Sequence, residues 1–308
     1  MNKIYDMLII GGGPGGYTAA LYAARAGLSV ALLEKLSAGG QMALTSEIDN
    51  YPGFPKGVDG FELGLQMKEG AERFGAETVL AEVFSLRLEE EIKEAHTSEG
   101  LFRSRTVVFA TGANPKTLGV PGEERLTGKG LHYCAHCDGM FYRNKTVMVV
   151  GGGNTAAADA LLLSRIAKKV IVVHRRDTLR ATKIYHEPLI RAENVEFLWN
   201  SSVTALISDD RVRGAVVRGL RSGEEREVAV DGIFVSIGRA PATALVAGQL
   251  ELDENGYVVA GESTQTNLPG VFAVGDVRAK ALRQIVTAVS DGAIAAHFAD
   301  EYLAENGQ

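Results

Sequence analysis

Cys134 and Cys137 stand two residues apart in the run Cys-Ala-His-Cys-Asp-Gly, and they are the only two cysteines of the 308-residue chain. A bridge across so short a span constrains the unfolded chain very little, so stability does not explain the pair. Three chemistries compete. A structural zinc site takes four ligands. His132 and His136 are close by, but tetrahedral closure from neighbouring residues is sterically poor and there is no second, distant cysteine pair, so no metal is expected. Two inert buried cysteines are the second reading. A redox dithiol is the third and the best fit, because C-x-x-C in an intracellular chain is the usual exchange motif. Such a pair accepts two electrons and passes them on through a mixed disulfide. The attacking group is a thiolate, favoured by nearby positive charge, and His136 sits between the sulfurs. Asp138 follows at once. It can move a proton as the disulfide opens or serve as the first half of an Asp-Gly turn, and spacing alone does not separate the two.

Two other segments share one pattern. DMLIIGGGPGGYTAALYAARAG followed by LSVALLEK predicts a strand at Met7–Ile10, a glycine turn, an alanine-rich helix to Gly27 and a strand at Val30–Leu33 ending on Glu34. TVMVVGGGNTAAADALLLSRIA followed by KKVIVVHRR predicts the same succession, with strands at Val147–Val150 and Val170–Val173. Gly11 to Glu34 and Gly151 to His174 are both offsets of 23 residues. A lone G-x-G-x-x-G is weak evidence. Two of them, each inside a strand–helix–strand unit, indicate two dinucleotide sites.

The sites differ in charge. In the first, Gly11 permits the tight turn, Gly13 lets backbone approach a pyrophosphate, and Gly16 lets the helix pack on the sheet. The helix N-terminus offers N–H groups and partial positive charge to phosphates. Glu34 suits ribose hydroxyls and repels a 2′-phosphate, so this site favours FAD or NAD(H). In the second, Gly151, Gly153 and Ala156 take the glycine places, with Asn154 and Thr155 in the turn, and the acid is replaced by His174, Arg175 and Arg176, with Arg180 beyond. Guanidinium forks pair well with phosphate oxygens, so this site favours NADPH. Electrons then run from a nicotinamide to a flavin.

The remaining pattern fills in the frame. Thr78–Val108 is read as hairpin-like. RTVVFATGANP, GIFVSIGRAP and TNLPGVFAVGDV are apolar strands running into small residues, and LRQIVTAVSDGAIAAHFADEYL is helical. Hinges fit at 113–116 and 239–243, which gives an α/β fold of two Rossmann-like domains, the second inserted into the first: 1–113 with 244–308 for FAD, and 114–243 for NADPH and the dithiol. A net charge of −6 argues against nucleic acid as partner. No run approaches the 18 or so apolar residues of a membrane span. The start, MNKIYDMLIIGGG, does not read as a signal peptide, and the cytoplasm is the expected compartment. Nicotinamide and disulfide share one domain, so they are expected to reach the flavin alternately, through a swivel of one domain against the other.

Over essentially its whole length the chain resembles the bacterial thioredoxin reductases of the low-molecular-weight type. GGGPGGYTAALYAARA, GGQM (39–42), NYPGF (50–54), ATGA (110–113), CAHCDG, GGGNTA, HRRD, and GVFAVGDV followed by RQIVTA carry the likeness. The resemblance implies that FAD lies along Gly11, Gly13, Pro14, Gly16 and Glu34, with Gly40, Gln41 and Asn50 near the flavin. Thr111 and Gly112 then pass close to FAD, Gly275 and Asp276 bind its ribityl or phosphate region, and Arg283, Gln284 and Ile285 line the ring, with Val83 near the adenine. Cys137 faces the flavin, Cys134 attacks thioredoxin, and Asp138 is the acid. A homodimer acting on a thioredoxin-like protein is implied. His136 and Met140 depart from the family pattern, while Lys129, Phe141 and Tyr142 keep the docking surface plausible. A flavin-dependent dithiol oxidase, a reductase of small disulfides and a slow redox sensor are the alternatives. The intact basic cluster argues against the first.

Overall fold

The computed structural model describes residues 3–45 and 48–306. The chain divides into two compact units, Met1–Asn114 with Ala240–Gln308, and Pro115–Arg239.

The first unit opens with β1 (Ile4–Ile10), α1 (Pro14–Arg25), β2 (Val30–Glu34), α2 (Gly60–Glu72) and β3 (Glu77–Leu80). Three further strands follow: β4 (Val83–Arg87), β5 (Lys93–Thr97) and β6 (Gly100–Phe109). The hairpin-like stretch is thus two things. Its start, β3, joins the parallel sheet beside β2, and the rest is an antiparallel meander. β6 serves both halves. Gly100–Ser104 pairs antiparallel with β5, and Arg103–Phe109 pairs parallel with β1. The chain then leaves through β7 (Ala113–Pro115).

In the second unit come α3 (Glu123–Leu126), β8 (Leu131–His132), α4 (Ala135–Asp138), β9 (Thr146–Val150), α5 (Asn154–Ser164), β10 (Lys169–Val173), α6 (His186–Arg191) and β11 (Val195–Leu198). An antiparallel sheet follows, β12 (Ser201–Ser208), β13 (Val212–Gly219) and β14 (Glu225–Ala229), and then β15 (Gly232–Val235). The parallel sheet has the order β11-β10-β9-β15-β8. The chain returns through β16 (Arg239–Pro241), which pairs with β7. It then adds β17 (Val271–Ala273) beside β6 in the first unit's sheet and ends in α7 (Ile285–Asn306).

Period-two alternation puts successive strand residues on opposite faces, and in both units each face is buried. Met7, Ile9, Leu32 and Phe272 meet the alanine rows of α1 and α7, while Leu8, Ile10, Leu33 and Phe109 form a separate core. In the second unit Val147, Val149, Val172 and Phe234 pack on Ala156, Ala160 and Leu163 of α5. Met148, Ile171, Val173 and Ile233 pack on Val212, Ala215 and Val217. Parallel strands buried on both sides read as continuous apolar runs, which is why these were legible.

Small residues set how closely the helices approach. A Cβ added at Gly292 would lie 2.3 Å from the Gly15 carbonyl oxygen, so α7 rests backbone to backbone on α1. Overpacking of this kind costs about 1–3 kcal/mol. Gly292→Ala is therefore expected to lower the unfolding free energy by about that amount, measured as a drop in denaturant midpoint at unchanged m-value.

Candidate functional site

In the first unit β1 ends at Ile10 and the chain turns at once. Gly11 has φ +109°, and a Cβ on it would meet the Ala110 carbonyl oxygen at 2.5 Å. One turn into α1, a Cβ on Gly16 would lie 2.0 Å from the Gly11 carbonyl oxygen. Helix and strand are therefore in contact at the turn. Pro14 opens α1, and its N-cap, Gly13, carries no side-chain cap, so the first N–H groups of the helix are left for a ligand. Among the described residues, no heavy atom lies within 4 Å of a Cβ built on Gly13. That cradle fits a pyrophosphate.

Glu34 closes the turn from the side. Its Oε2 accepts the Gly12 N–H at 2.6 Å and its Oε1 the Leu36 N–H at 3.0 Å. Gly39 N–H donates to the Gly12 carbonyl at 2.8 Å, which lays Gly40 against Gly13. Val83 lies two residues past Ala81, whose N–H donates to the Glu34 carbonyl at 2.8 Å. Gln41 Nε2 donates to Asn114 Oδ1 at 3.2 Å, and Asn50 Nδ2 to Gln284 Oε1 at 3.0 Å, one residue before α7 begins at Ile285. Thr111 Oγ1 donates to the Ala242 carbonyl and Gly112 accepts the Ala242 N–H, tying the outgoing and returning chain together. Arg283 stacks 3.8 Å over the Tyr257 ring and donates to the Asp276 carbonyl at 3.2 Å.

A buried group that sequence reading missed holds the Gly275 turn. Asp291, on α7, accepts the Gly275 N–H at 2.8 Å, two Arg278 bonds at 3.0 Å, and Lys280 Nζ at 2.7 Å. Every carboxylate bond is charge-assisted or to backbone, which offsets the cost of burying the ion. An acid alone in the apolar, alanine-rich stretch 285–299 of that helix was the available signal.

The second unit repeats the turn with different chemistry. A Cβ on Gly151 would meet the Ser236 carbonyl oxygen at 2.3 Å. Gly153, the N-cap of α5, has no side-chain cap and open space around it. Where Glu34 holds Gly12, the His174 ring covers Gly152, at 2.3 Å from an added Cβ. The ring is buried, and burial first, then Arg180, Arg175 and Arg176, push its pKa below the ordinary imidazole value. His174 is therefore neutral at pH 7, and the positive charge of this edge belongs to the three exposed guanidiniums. Its Nε2 is buried with no hydrogen-bond partner among the described residues. Arg180 and Ala181 donate backbone N–H groups to the Gly152 carbonyl at 2.7 and 3.1 Å, and Asn154 Oδ1 accepts the Thr182 N–H at 2.8 Å. The arginine loop is thus fastened to the glycine turn, beside Thr155 in the first turn of α5. Uncapped N–H groups and arginines together fit a phosphorylated dinucleotide.

Cys134 and Cys137 form a disulfide in the same unit, with Cys134 as N-cap of α4. The Cys137 N–H donates to Cys134 Sγ at 3.2 Å. On one side Asp138 Oδ2 lies 3.2 Å from His132 Nδ1, and His132 Nε2 lies 2.7 Å from the Tyr142 hydroxyl. On the other side His136 Nδ1 approaches Asp159 Oδ1 at 3.8 Å, and Asp159 Oδ2 accepts the Ser236 hydroxyl at 2.5 Å. Burial raises the Asp159 pKa above its ordinary value. Sequence reading had not singled out Asp159, Ser236 or the Asp138–His132–Tyr142 chain. Among the described residues no cluster of His, Cys, Asp and Glu is arranged to hold a metal ion.

A glycine turn of dinucleotide-binding type in each unit, with a disulfide in the second, defines a class, and the chain belongs to it: residues 5–292 match the pyridine nucleotide-disulphide oxidoreductase family. Within that family it is similar to the thioredoxin reductase of Peptoclostridium litorale, 44% identical across 99% of both chains. It is 45% identical to that of Mycolicibacterium smegmatis, across 99% of this chain and 98% of the relative. The crystal structure of thioredoxin reductase from Streptococcus pyogenes superposes with a TM-score of 0.90 at 43% identity, across 99% of this chain and all of that one. The two-domain Rossmann-like fold and the class, an NADPH-dependent flavoprotein oxidoreductase using FAD, agree with the reading of the sequence.

The open space at Gly13 and Gly153 yields a separable pair of predictions. Gly13→Ala and Gly153→Ala strain no backbone, since their φ values are −78° and −89°, and each is expected to change stability by no more than about 0.5 kcal/mol. Calorimetry should show Gly13→Ala losing FAD affinity and Gly153→Ala losing NADPH affinity, each with the other cofactor unaffected.

Proposed function

We propose that the protein reduces the disulfide of a thioredoxin-like partner, drawing electrons from NADPH through FAD to Cys134 and Cys137. The observation that carries this reading is the placement, in one unit, of a disulfide beside a held carboxylate and a phosphate-binding turn ringed by arginines. FAD is held by the first unit's turn at Gly11, Gly13, Pro14 and Gly16, with Glu34 for the ribose. The segments at Gly40–Gln41, Asn50, Val83, Thr111–Gly112, Gly275–Asp276 and Arg283–Ile285 complete the cradle. NADPH is held by Gly151, Gly153, Asn154 and Thr155, with Arg175, Arg176 and Arg180 on its 2′-phosphate and His174 as the neutral floor of the turn. When bound by these residues, the two cofactors would supply the electron pair for the Cys134–Cys137 disulfide.

The chain's own residues do the rest. Cys134, whose sulfur accepts the Cys137 N–H, attacks the partner's disulfide as thiolate. A bond forms between Cys134 Sγ and one partner sulfur, and the other partner sulfur leaves. Cys137 then attacks Cys134 Sγ, releases the second partner sulfur and restores the intramolecular disulfide, so two electrons pass to the partner. Asp138 carries the proton that a sulfur needs as it is reduced. Met140 and Phe141, both about half exposed beside the dithiol, give the partner an apolar face, and methionine adapts to varied shapes.

The NADPH turn and the dithiol belong to the inserted unit, and the FAD cradle to the other. A swivel about the two crossing segments presents them in turn. A homodimer in the cytoplasm completes the proposal. No helix among the described residues is long and apolar enough to cross a membrane.

Anaerobic mixing tests the assignment. NADPH should bleach the bound flavin far faster than NADH. Arg175→Ala with Arg176→Ala should weaken NADPH about 10- to 100-fold, as for charge-assisted bonds of about 1.5–3 kcal/mol, and leave NADH nearly unchanged. Cys137→Ser should keep flavin bleaching and lose thioredoxin reduction. A Cys137→Ser protein that still turns over thioredoxin contradicts the reading.

A further inference from the structure

We infer that His132 is the positioning residue of the proton-transfer step: it fixes the Asp138 carboxyl and shares a proton with it, so that the pair, and not Asp138 alone, sets the pH range of disulfide chemistry. The inference rests on the assignment of Asp138 as the acid.

His132 is 7% exposed and Asp138's side chain 15%, so the 3.2 Å contact between them is shielded from water. Low local dielectric strengthens such a bond. With Asp138 ionised, His132 Nδ1–H donates to Oδ2, and Nε2 accepts from the Tyr142 hydroxyl at 2.7 Å. When one more proton enters the pair, Nε2–H donates to the same hydroxyl, which rotates to accept it. A phenol serves either way because its oxygen is both donor and acceptor. Burial pushes the Tyr142 pKa above its ordinary value, so it stays a phenol throughout. In both protonation states His132 thus keeps its two hydrogen bonds with no heavy atom moving, as a repeated proton transfer requires.

The surroundings let nothing else take this part. From β15, Phe234 stacks on the imidazole with ring centroids 5.3 Å apart. The charged groups beyond, Arg211 and Asp231, act on Tyr142, and His136 faces Asp159 instead. When the Cys134–Cys137 bond takes up two electrons, the S–S bond breaks and two thiolates form. Asp138 gives a proton to one of them, which becomes a thiol while the other stays thiolate to attack the partner; the resulting carboxylate accepts the His132 Nδ1–H, and solvent restores the proton to the pair.

The test uses the flavin-loaded protein and a thioredoxin disulfide. His132→Asn keeps a donor for Oδ2 and removes the titrating ring. It is expected to move the alkaline limb of the kcat profile down by about one pH unit and to slow turnover at pH 7.5 about tenfold, the factor that one pH unit carries. NADPH-driven flavin bleaching should not change. Tyr142→Phe should move the same limb the same way by less. In an Asp138→Asn background, His132→Asn should add less than about a twofold loss, because coupled groups are not additive. A ¹⁵N spectrum of the reduced protein supplies a readout apart from turnover: the His132 ring nitrogens should show Nδ1 hydrogen-bonded to Asp138 in wild type, and Asp138→Asn should displace the Nδ1 resonance. An unshifted limb in both His132→Asn and Tyr142→Phe, or losses that simply multiply in the double variant, overturns the inference while Asp138 stands. Unimpaired Asp138→Asn overturns the acid assignment itself and the inference with it.

Discussion

Everything in this protein follows from how closely backbone meets backbone at two glycine turns. A Cβ at Gly16 would fall 2.0 Å from the Gly11 carbonyl oxygen, and one at Gly151 2.3 Å from the Ser236 carbonyl oxygen. No side chain fits between strand end and helix start. The helix therefore begins against the sheet, with Gly13 and Gly153 as N-caps that bring no side-chain oxygen to its first N–H groups. A helix capped by serine or aspartate would spend those donors internally. Here they remain for phosphate, with the dipole aligned to favour negative charge.

On that common frame, one position differs in charge between the two units. Glu34 is the last residue of β2 and His174 the first after β10, and each lies against the middle glycine of its own turn, Gly12 or Gly152. The carboxylate makes the first turn an acceptor for hydroxyls. The imidazole, buried and held neutral by burial and three neighbouring arginines, adds no charge but lets the loop 175–180 fold over the turn. On the proposed assignment, specificity for the 2′-phosphate lies in the exposed guanidiniums, and the histidine is part of their foundation.

Much of this was legible in the sequence because it is local. The strand at Val147–Val150 extends by one residue to Thr146, and β2 runs from Val30 to Glu34 as the apolar run says. The equal offsets to Glu34 and His174 proved to be equal positions in space. What stayed hidden depends on residues far apart in the chain. Ser236 meets Asp159 across 77 residues, and Asp291 reaches back 16 residues to Gly275, 13 to Arg278 and 11 to Lys280. The dual pairing of β6 was also hidden, since one strand with antiparallel and parallel neighbours carries no pattern of its own. His132 and Tyr142, ten residues apart, were visible as residues but not as a pair. Their contact exists because β8 joins the sheet beside β15 while the short helices after Cys134 double back.

On the proposed path, electrons from NADPH come to rest on Cys134 and Cys137. Thiol counting by alkylation and mass spectrometry, after one equivalent of NADPH is added anaerobically to the flavin-loaded protein, tests it most directly. The account predicts about two new thiols per chain, one on each cysteine, and almost none with NADH over the same interval. Consumption of NADPH with the Cys134–Cys137 bond intact would contradict it.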